Sequence, residues 1–252
     1  MIKYITNFII QVGRFFGTAY SIILFFPKIF KNRKLVIEQM AIIGADSLPL
    51  VLFIGSFTGA IAAIQATVLF DKFNLMDLAM PFLGGSIATA VLQELTPVLT
   101  ALVIAGRVGG SMAAQIGTMV VTEQVDALEM MAVDKHRFLG MPRVSAALIM
   151  MPILAIFSSF IAIIGALVMV MIKFDISASY YFNSIVNYFD AIELFVCLGK
   201  SALFGVVTAM IGVYVGFSTE GGAEGVGNST VRAFTISAAM ILILDAIWGV
   251  VL

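Results

Sequence analysis

Long apolar runs separated by short polar stretches dominate this chain. Five of them, at roughly 46–70, 84–106, 144–172, 193–216 and 231–252, are continuous and nearly free of charge. A helix needs about 20 mostly apolar residues to cross about 30 Å of hydrocarbon, and each run reaches that length. A membrane β-barrel would instead show short segments of alternating polarity. The pattern predicts an all-α membrane protein with five transmembrane helices, because a helix bonds its own backbone within the segment.

The first 36 residues follow a different rule. Lys3, Asn7, Gln11, Arg14, Thr18 and Ser21 recur every three or four positions, which places them on one face of a helix. Phe8, Ile9, Val12, Phe15, Phe16, Ala19, Ile22 and Ile23 occupy the other. The uninterrupted apolar run before Pro27 is too short to span, so a helix lying in the headgroup plane is expected. A basic cluster follows it: Lys28, Lys31, Arg33 and Lys34. A signal peptide fits less well, because no small-residue cleavage site follows the apolar stretch. The expected organisation is an interfacial helix and basic segment over 1–36, then a five-span domain over 37–252.

Composition narrows the function. The hydrophobic fraction is 61% and the charged fraction 12% of 252 residues, where a soluble domain carries about 25% charged residues. Lys and Arg number 14 against 15 Asp and Glu, so no net charge draws the chain to nucleic acid. A lone cysteine, Cys197, excludes a disulfide framework, and a lone histidine, His136, argues against a His-built metal site or a Ser/His/Asp triad. His136 reads as a surface residue of a loop. The cationic residues also set an orientation. Lys3, Arg14, Lys28, Lys31, Arg33, Lys34, Arg107, Lys135, Arg137, Arg143 and Arg232 fall on one side, and Lys72, Lys173 and Lys200 on the other, 11 against 3 of the 14. Basic loops stay inside, so the N-terminus and the 107–143 and 217–231 loops are expected in the cytoplasm and the C-terminus outside.

Candidate chemistry is sparse. Gly199-Lys200-Ser201 has the end of a phosphate-binding loop, but Leu194 stands where the first glycine is required, so no ATP site is expected. Gly55–Gly59, Gly106–Gly110 and Gly212–Gly216 each have the GxxxG spacing of close helix contacts. Glu94, Lys200 and Asp245 are ionisable residues within apolar runs, a position that costs about 2.5–3.5 kcal/mol on insertion scales. Gln93-Glu94 with Pro97 three residues on suggests a kinked helix beside a polar pocket; a structural bond from Glu94 to a neighbouring helix is the alternative. Lys200 reads as snorkelling toward the outer interface. Asp245 reads equally as structural or functional. Gln65, with Leu69 one turn on, could line the same space as Glu94. Between two spans, Thr122–Met131 reads as a short amphipathic helix, with Val125, Leu128 and Met131 on one face and Glu123, Asp126 and Glu129 on another. Such a helix, with Gln124 and Ala127 at its centre, suits a groove on a cytoplasmic partner.

The stretch Glu94-Leu95-Thr96-Pro97-Val98-Leu99-Thr100, followed by Ala105-Gly106-Arg107-Val108-Gly109, Gly117-Thr118, Thr122-Glu123-Gln124-Val125-Asp126-Ala127-Leu128 and Pro142-Arg143, resembles the MlaE (YrbE) family. Lys200-Ser201, Glu220 to Gly227 and Thr230-Val231-Arg232-Ala233 extend the resemblance over nearly the whole chain. It implies the permease subunit of an ABC transporter of phospholipids in a bacterial inner membrane. It further implies a second copy of the chain, a cytoplasmic ATPase that carries ATP and Mg, and a periplasmic lipid-binding protein of the MCE type. No cofactor is expected on this chain. The 122–131 helix would couple to the ATPase. The lipid path would run at the dimer axis past Glu94, Gln93, Gln65, Asp245, Leu69 and Pro97. Where many members carry arginine before the glutamate, this chain has Gln93. Two other classes compete: a stand-alone ion-coupled carrier using Glu94 and Asp245, and a membrane enzyme acting on lipid headgroups.

Overall fold

The computed structural model describes residues 2–73 and 80–251. The connection between the first and second apolar runs is therefore described only at its ends. Residue 252 and the side chains of Lys3, Asn7 and Phe8 also lie outside the described residues. No strand occurs among the described residues. Helix α1 covers Ile2–Leu24, α2 Arg33–Met40 and α3 Leu48–Lys72. A long second span follows as α4 (Leu83–Ala90), α5 (Thr96–Ile104) and α6 (Gly110–Val121). A short α7 (Gln124–Met130) leads to α8 (Met141–Phe174), α9 (Ala178–Tyr188), α10 (Ala191–Phe217) and α11 (Gly222–Val251). Five helical stretches are long and apolar enough to cross a membrane, Phe26–Lys72, Met80–Val121, His136–Phe174, Ala191–Phe217 and Gly222–Val250.

The second stretch outruns its apolar sequence. It has 42 residues, about 60 Å at 1.5 Å per residue, roughly twice the hydrocarbon thickness. It also contains two wide π turns, Val91–Leu95 and Ala105–Gly109. Similar turns occur at Ala41–Ala45 and His136–Gly140. A π turn inserts one residue into the helical ladder and re-aims the side chains around it. Here the inserted turns carry Gln93-Glu94 and Arg107.

The chain divides into two compact units. Unit two comprises Gly44–Val103 and Met151–Leu203. Its core includes Ala63, Leu83, Ile87, Val91, Ala162, Ala166, Val170 and Tyr181. The helices α3 and α8 meet there backbone to backbone. A methyl group on Gly59 would overlap the carbonyl of Ala162, and one on Gly165 would overlap the carbonyl of Ser56. Gly55 faces the Ser158 carbonyl in the same way. The Gly55–Gly59 pair is thus a real helix contact, with Gly165 completing it from the opposite helix. Ser184 on α9 accepts from the Gly85 amide at 3.2 Å and donates to the Pro81 carbonyl at 2.7 Å, which fixes α9 against the start of the second span.

Unit one comprises Met1–Ile43, Ile104–Met150 and Phe204–Leu252. Gly109 and Gly212 sit against one another, and Gly216 sits against Ile116, so α6 and α10 pack closely. Gly110 faces Thr230 of α11. Arg143 is buried and donates to the Leu139 carbonyl at 2.9 Å and to Gln115 at 3.2 Å. The apolar positions of α1 turn two ways. Ile22 is fully buried and Phe15 packs edge-on to Tyr214, while Ile9, Phe16, Tyr20 and Ile23 stay exposed. Its polar stripe of Gln11, Arg14, Thr18 and Ser21 borders a cavity of this unit.

Gly59→Ala should destabilise the detergent-solubilised protein by about 2 kcal/mol or more, because a backbone carbonyl cannot yield as a side chain does. Gly227→Ala, where nothing lies within 4 Å, should leave it unchanged or slightly more stable. Thermal unfolding of the two variants checks this, and equal midpoints would refute the backbone contact.

Candidate functional site

The polar centre of unit two begins at Pro97. Proline has no N–H, so the carbonyl four residues back, that of Gln93, lacks its usual helical donor. The π turn at Val91–Leu95 shifts the ladder: the Thr96 amide reaches the Val91 carbonyl, and the Thr96 hydroxyl lies 2.9 Å from the same oxygen. Lys200 on α10 fills the gap. Its Nζ donates to the Gln93 carbonyl at 3.0 Å and to Glu94 Oε1 at 2.8 Å. The lysine side chain is 1% exposed and that of the glutamate 51%. One end of the pair is sealed in the protein and the other reaches its surface.

Hydroxyl contacts continue the cluster. Thr96 Oγ1 lies 2.6 Å from Ser159 Oγ, and Ser159 donates to the Ala155 carbonyl at 2.8 Å. Cys197 Sγ is 3.9 Å from Ser159, and Ser201 donates to the Cys197 carbonyl at 2.7 Å. Thr89 on α4 donates to Glu193 Oε1 on α10 at 2.8 Å, and Glu193 is buried. Its place in the first turn of α10 suits a carboxylate, since the helix dipole is positive there. The second span and α10 are therefore joined by two carboxylate contacts and a hydroxyl network.

The residues expected along one path are distributed as follows. Gln93, Glu94 and Pro97 share the kinked turn of unit two; Glu94 is exposed, Gln93 half-buried and Pro97 buried. Pro97 thus shapes the wall and does not face an opening. Gln65 and Leu69 lie exposed on α3, at the end of a stripe that includes Phe53, Phe57 and Ile61. Asp245 belongs to unit one and is half-buried on α11. Lys200 differs from expectation. It does not reach outward to water but is buried and bonded to Glu94. The sequence held a signal for this, since two opposite charges within apolar runs reduce each other's cost only by pairing.

The connection between α6 and α8 in unit one carries the other candidate surface. Helix α7 starts at Gln124, one turn shorter than the expected 122–131. Glu123 takes a left-handed conformation with φ 59°, so the chain breaks between α6 and α7. Ala132 does the same with φ 58° at the other end, where the Val133 amide reaches back to the Leu128 carbonyl at 3.0 Å. That is a left-handed cap without its usual glycine. Val125 is buried beneath the helix, Ala127 and Leu128 are half-buried, and Glu123, Gln124, Asp126 and Glu129 are exposed. Met130 is 84% exposed and Met131 also projects. Glu129 pairs with Lys135 at 2.9 Å. Acidic and soft apolar groups are therefore both exposed on this connection.

A protein-family model described as Permease MlaE matches residues 36–251. A probable ABC transporter permease protein of Synechocystis sp. is 42% identical over 212 residues, covering 84% of this chain and 79% of that protein. A probable ABC transporter permease protein of Rickettsia bellii is 39% identical over 213 residues, covering 83% and 79%. One from Pyropia yezoensis is 34% identical over 214 residues, covering 85% and 80%.

Removing Glu94 takes a carboxylate partner from a buried ammonium. Glu94→Ala should lower stability in detergent by about 2 kcal/mol, the 3–5 of a fully buried pair being discounted for screening at the exposed carboxylate. Glu94→Ala combined with Lys200→Met should recover most of that loss, because the uncompensated charge is gone. A double variant less stable than Glu94→Ala would show that the pairing is not the cause.

Proposed function

Because the chain belongs to the MlaE permease family, and so is a membrane permease subunit of an ABC transporter, we propose that its cargo is phospholipid and that Glu94 meets the headgroup. The observation that carries this reading is the Lys200–Glu94 pair beside the freed Gln93 carbonyl. It is a zwitterionic spot set among apolar helices, with its carboxylate open at the surface. An amphiphile needs such a surface, polar for the headgroup and apolar for the chains. The exposed stripe of Phe53, Phe57, Ile61 and Leu69 on α3, with Gln65 within it, supplies apolar area of the second kind. Lys200 acts here as the group that fixes Glu94 in direction.

The chain works with partners in this reading. A second copy covers the exposed apolar faces, so that two sets of these residues flank one path. A cytoplasmic ATPase carries ATP and Mg and grips α7, and a periplasmic lipid-binding protein of the MCE type receives or delivers the lipid. The 11 to 3 distribution of Lys and Arg supports a cytoplasmic N-terminus and a periplasmic C-terminus in a bacterial inner membrane. Nucleotide hydrolysis by the partner shifts the permease between states, with α7 as the rigid element that transmits the change.

Glu94→Gln keeps an acceptor for Lys200 but removes the charge. ATP-driven transfer of labelled phospholipid by the reconstituted complex should fall about tenfold, equivalent to about 1.4 kcal/mol in the barrier, while the ATPase still co-purifies. Wild-type transfer would remove Glu94 from the path. Lipid or ion flux driven by a proton gradient with the chain alone would favour the carrier reading. Glu123→Lys with Asp126→Lys should release the ATPase, or leave ATP hydrolysis running without transfer. Full coupling in that variant would refute the docking role of α7.

A further inference from the structure

A cavity of about 720 Å³ in unit one lies outside everything assigned so far. The polar stripe of α1 forms one wall, and residues around the α10–α11 turn form another. Its volume falls in the range of small-molecule sites, about 300–1,000 Å³. Three cations line it, Arg14, Lys135 and Arg232, against one carboxylate, Glu220.

The use each cation makes of its charge is unequal. Lys135 is neutralised by Glu129 at 2.9 Å. Arg232 is steered but not neutralised: its Nη2 donates to the amide oxygen of Gln11 at 3.1 Å. Gln11 is itself held, since Tyr214 donates to its backbone carbonyl at 3.1 Å. The Arg14 guanidinium has no acceptor among the described residues. The nearby hydroxyls cannot serve an anion well. Thr18 gives its proton to the Arg14 carbonyl and Ser21 gives its own to the Gly17 carbonyl, each at 3.0 Å. They present lone pairs to the cavity. The two guanidinium forks that line the cavity therefore offer an occupant charged donors, whose planar geometry matches phosphate oxygens.

We propose that this cavity binds a phosphate-bearing anion of headgroup size, gripped by Arg14 and Arg232. Two sources share that chemistry: the headgroup of an anionic lipid and a water-soluble phosphate ester. The exposed Phe16, Tyr20 and Ile23 on the same helix bring apolar surface beside the cavity, as in a helix lying in the headgroup plane. The site is separate from Glu94 and does not depend on what the transporter carries.

The test uses the full chain in nanodiscs. Native mass spectrometry counts phosphatidylglycerol retained from discs of mixed phosphatidylcholine and phosphatidylglycerol. Calorimetry measures glycerol 3-phosphate binding in discs of phosphatidylcholine alone. Each is run on wild type, Arg14→Gln and Arg14→Gln/Arg232→Gln. The difference from wild type is the readout, so lipid held elsewhere cancels. Among the described residues Arg14 has no acceptor to lose, so Arg14→Gln should fold even if the double variant does not. Retention or affinity should fall about tenfold in Arg14→Gln, the loss of one charge-assisted contact. Loss of phosphatidylglycerol identifies a lipid headgroup, and loss confined to glycerol 3-phosphate identifies a soluble ester; either supports the site. Equal values for wild type and Arg14→Gln with both probes overturn it.

Discussion

A lysine ammonium sealed within apolar helices has to be neutralised where it stands, and much of unit two is organised around that requirement. Lys200 is 1% exposed, and a charge in such a place costs several kcal/mol if unpaired. Two of its acceptors depend on one turn of helix. Pro97 frees the Gln93 carbonyl, and the π turn before it presents Glu94 to α10. The same rule governs the smaller polar groups of the spans. Thr58 bonds the Ile54 carbonyl, Thr67 the Ala63 carbonyl and Ser201 the Cys197 carbonyl. In hydrocarbon, groups that water cannot reach bond their own helix or its neighbour.

Packing between helices follows from the absence of a hydrophobic drive in lipid. Where tails and leucines are equally apolar, helices associate through close contact, and small residues permit it. The Gly59–Ala162 and Gly165–Ser56 approaches in unit two, and Gly109–Gly212 in unit one, are contacts of this kind. In unit two, Lys200 and Glu94 come within bonding range across 106 residues of chain.

The five spans, the short α7 and the Gly55–Gly59 contact were legible in the sequence because each rests on composition or periodicity along the chain. The pairing of Lys200 was legible only in part: two opposite charges within apolar runs hint at it, but only the facing helix separates a snorkelling lysine from a paired one. The π turns were invisible for a related reason. One extra residue in a ladder leaves an apolar run just as apolar, and only Pro97 hinted at a break. Glu123 and Ala132 in left-handed conformations were equally hidden, because neither is the glycine or asparagine that marks such positions. The polar stripe of α1 was read correctly as a stripe. That it borders a cavity, with Arg232 held by Gln11, follows from residues 221 positions apart, which periodicity within one helix cannot reveal.

An ion pair joins α7 of unit one to the charged cavity of the same unit. Glu129 belongs to α7, and Lys135, which it holds, lines the cavity. Lys135 also stands over the Phe217 ring at 5.6 Å, and His136 meets the same ring edge-on at 5.4 Å. The ammonium therefore has an aromatic contact within the cavity wall as well as a carboxylate on α7. An ion pair with both side chains partly exposed is worth about 1 kcal/mol or less. A surface binding event at α7 that engages Glu129 can meet that cost easily. Lys135 would then be left with the ring and the cavity, whose positive charge would rise by one. The link between α7 and the cavity is thus electrostatic and weak.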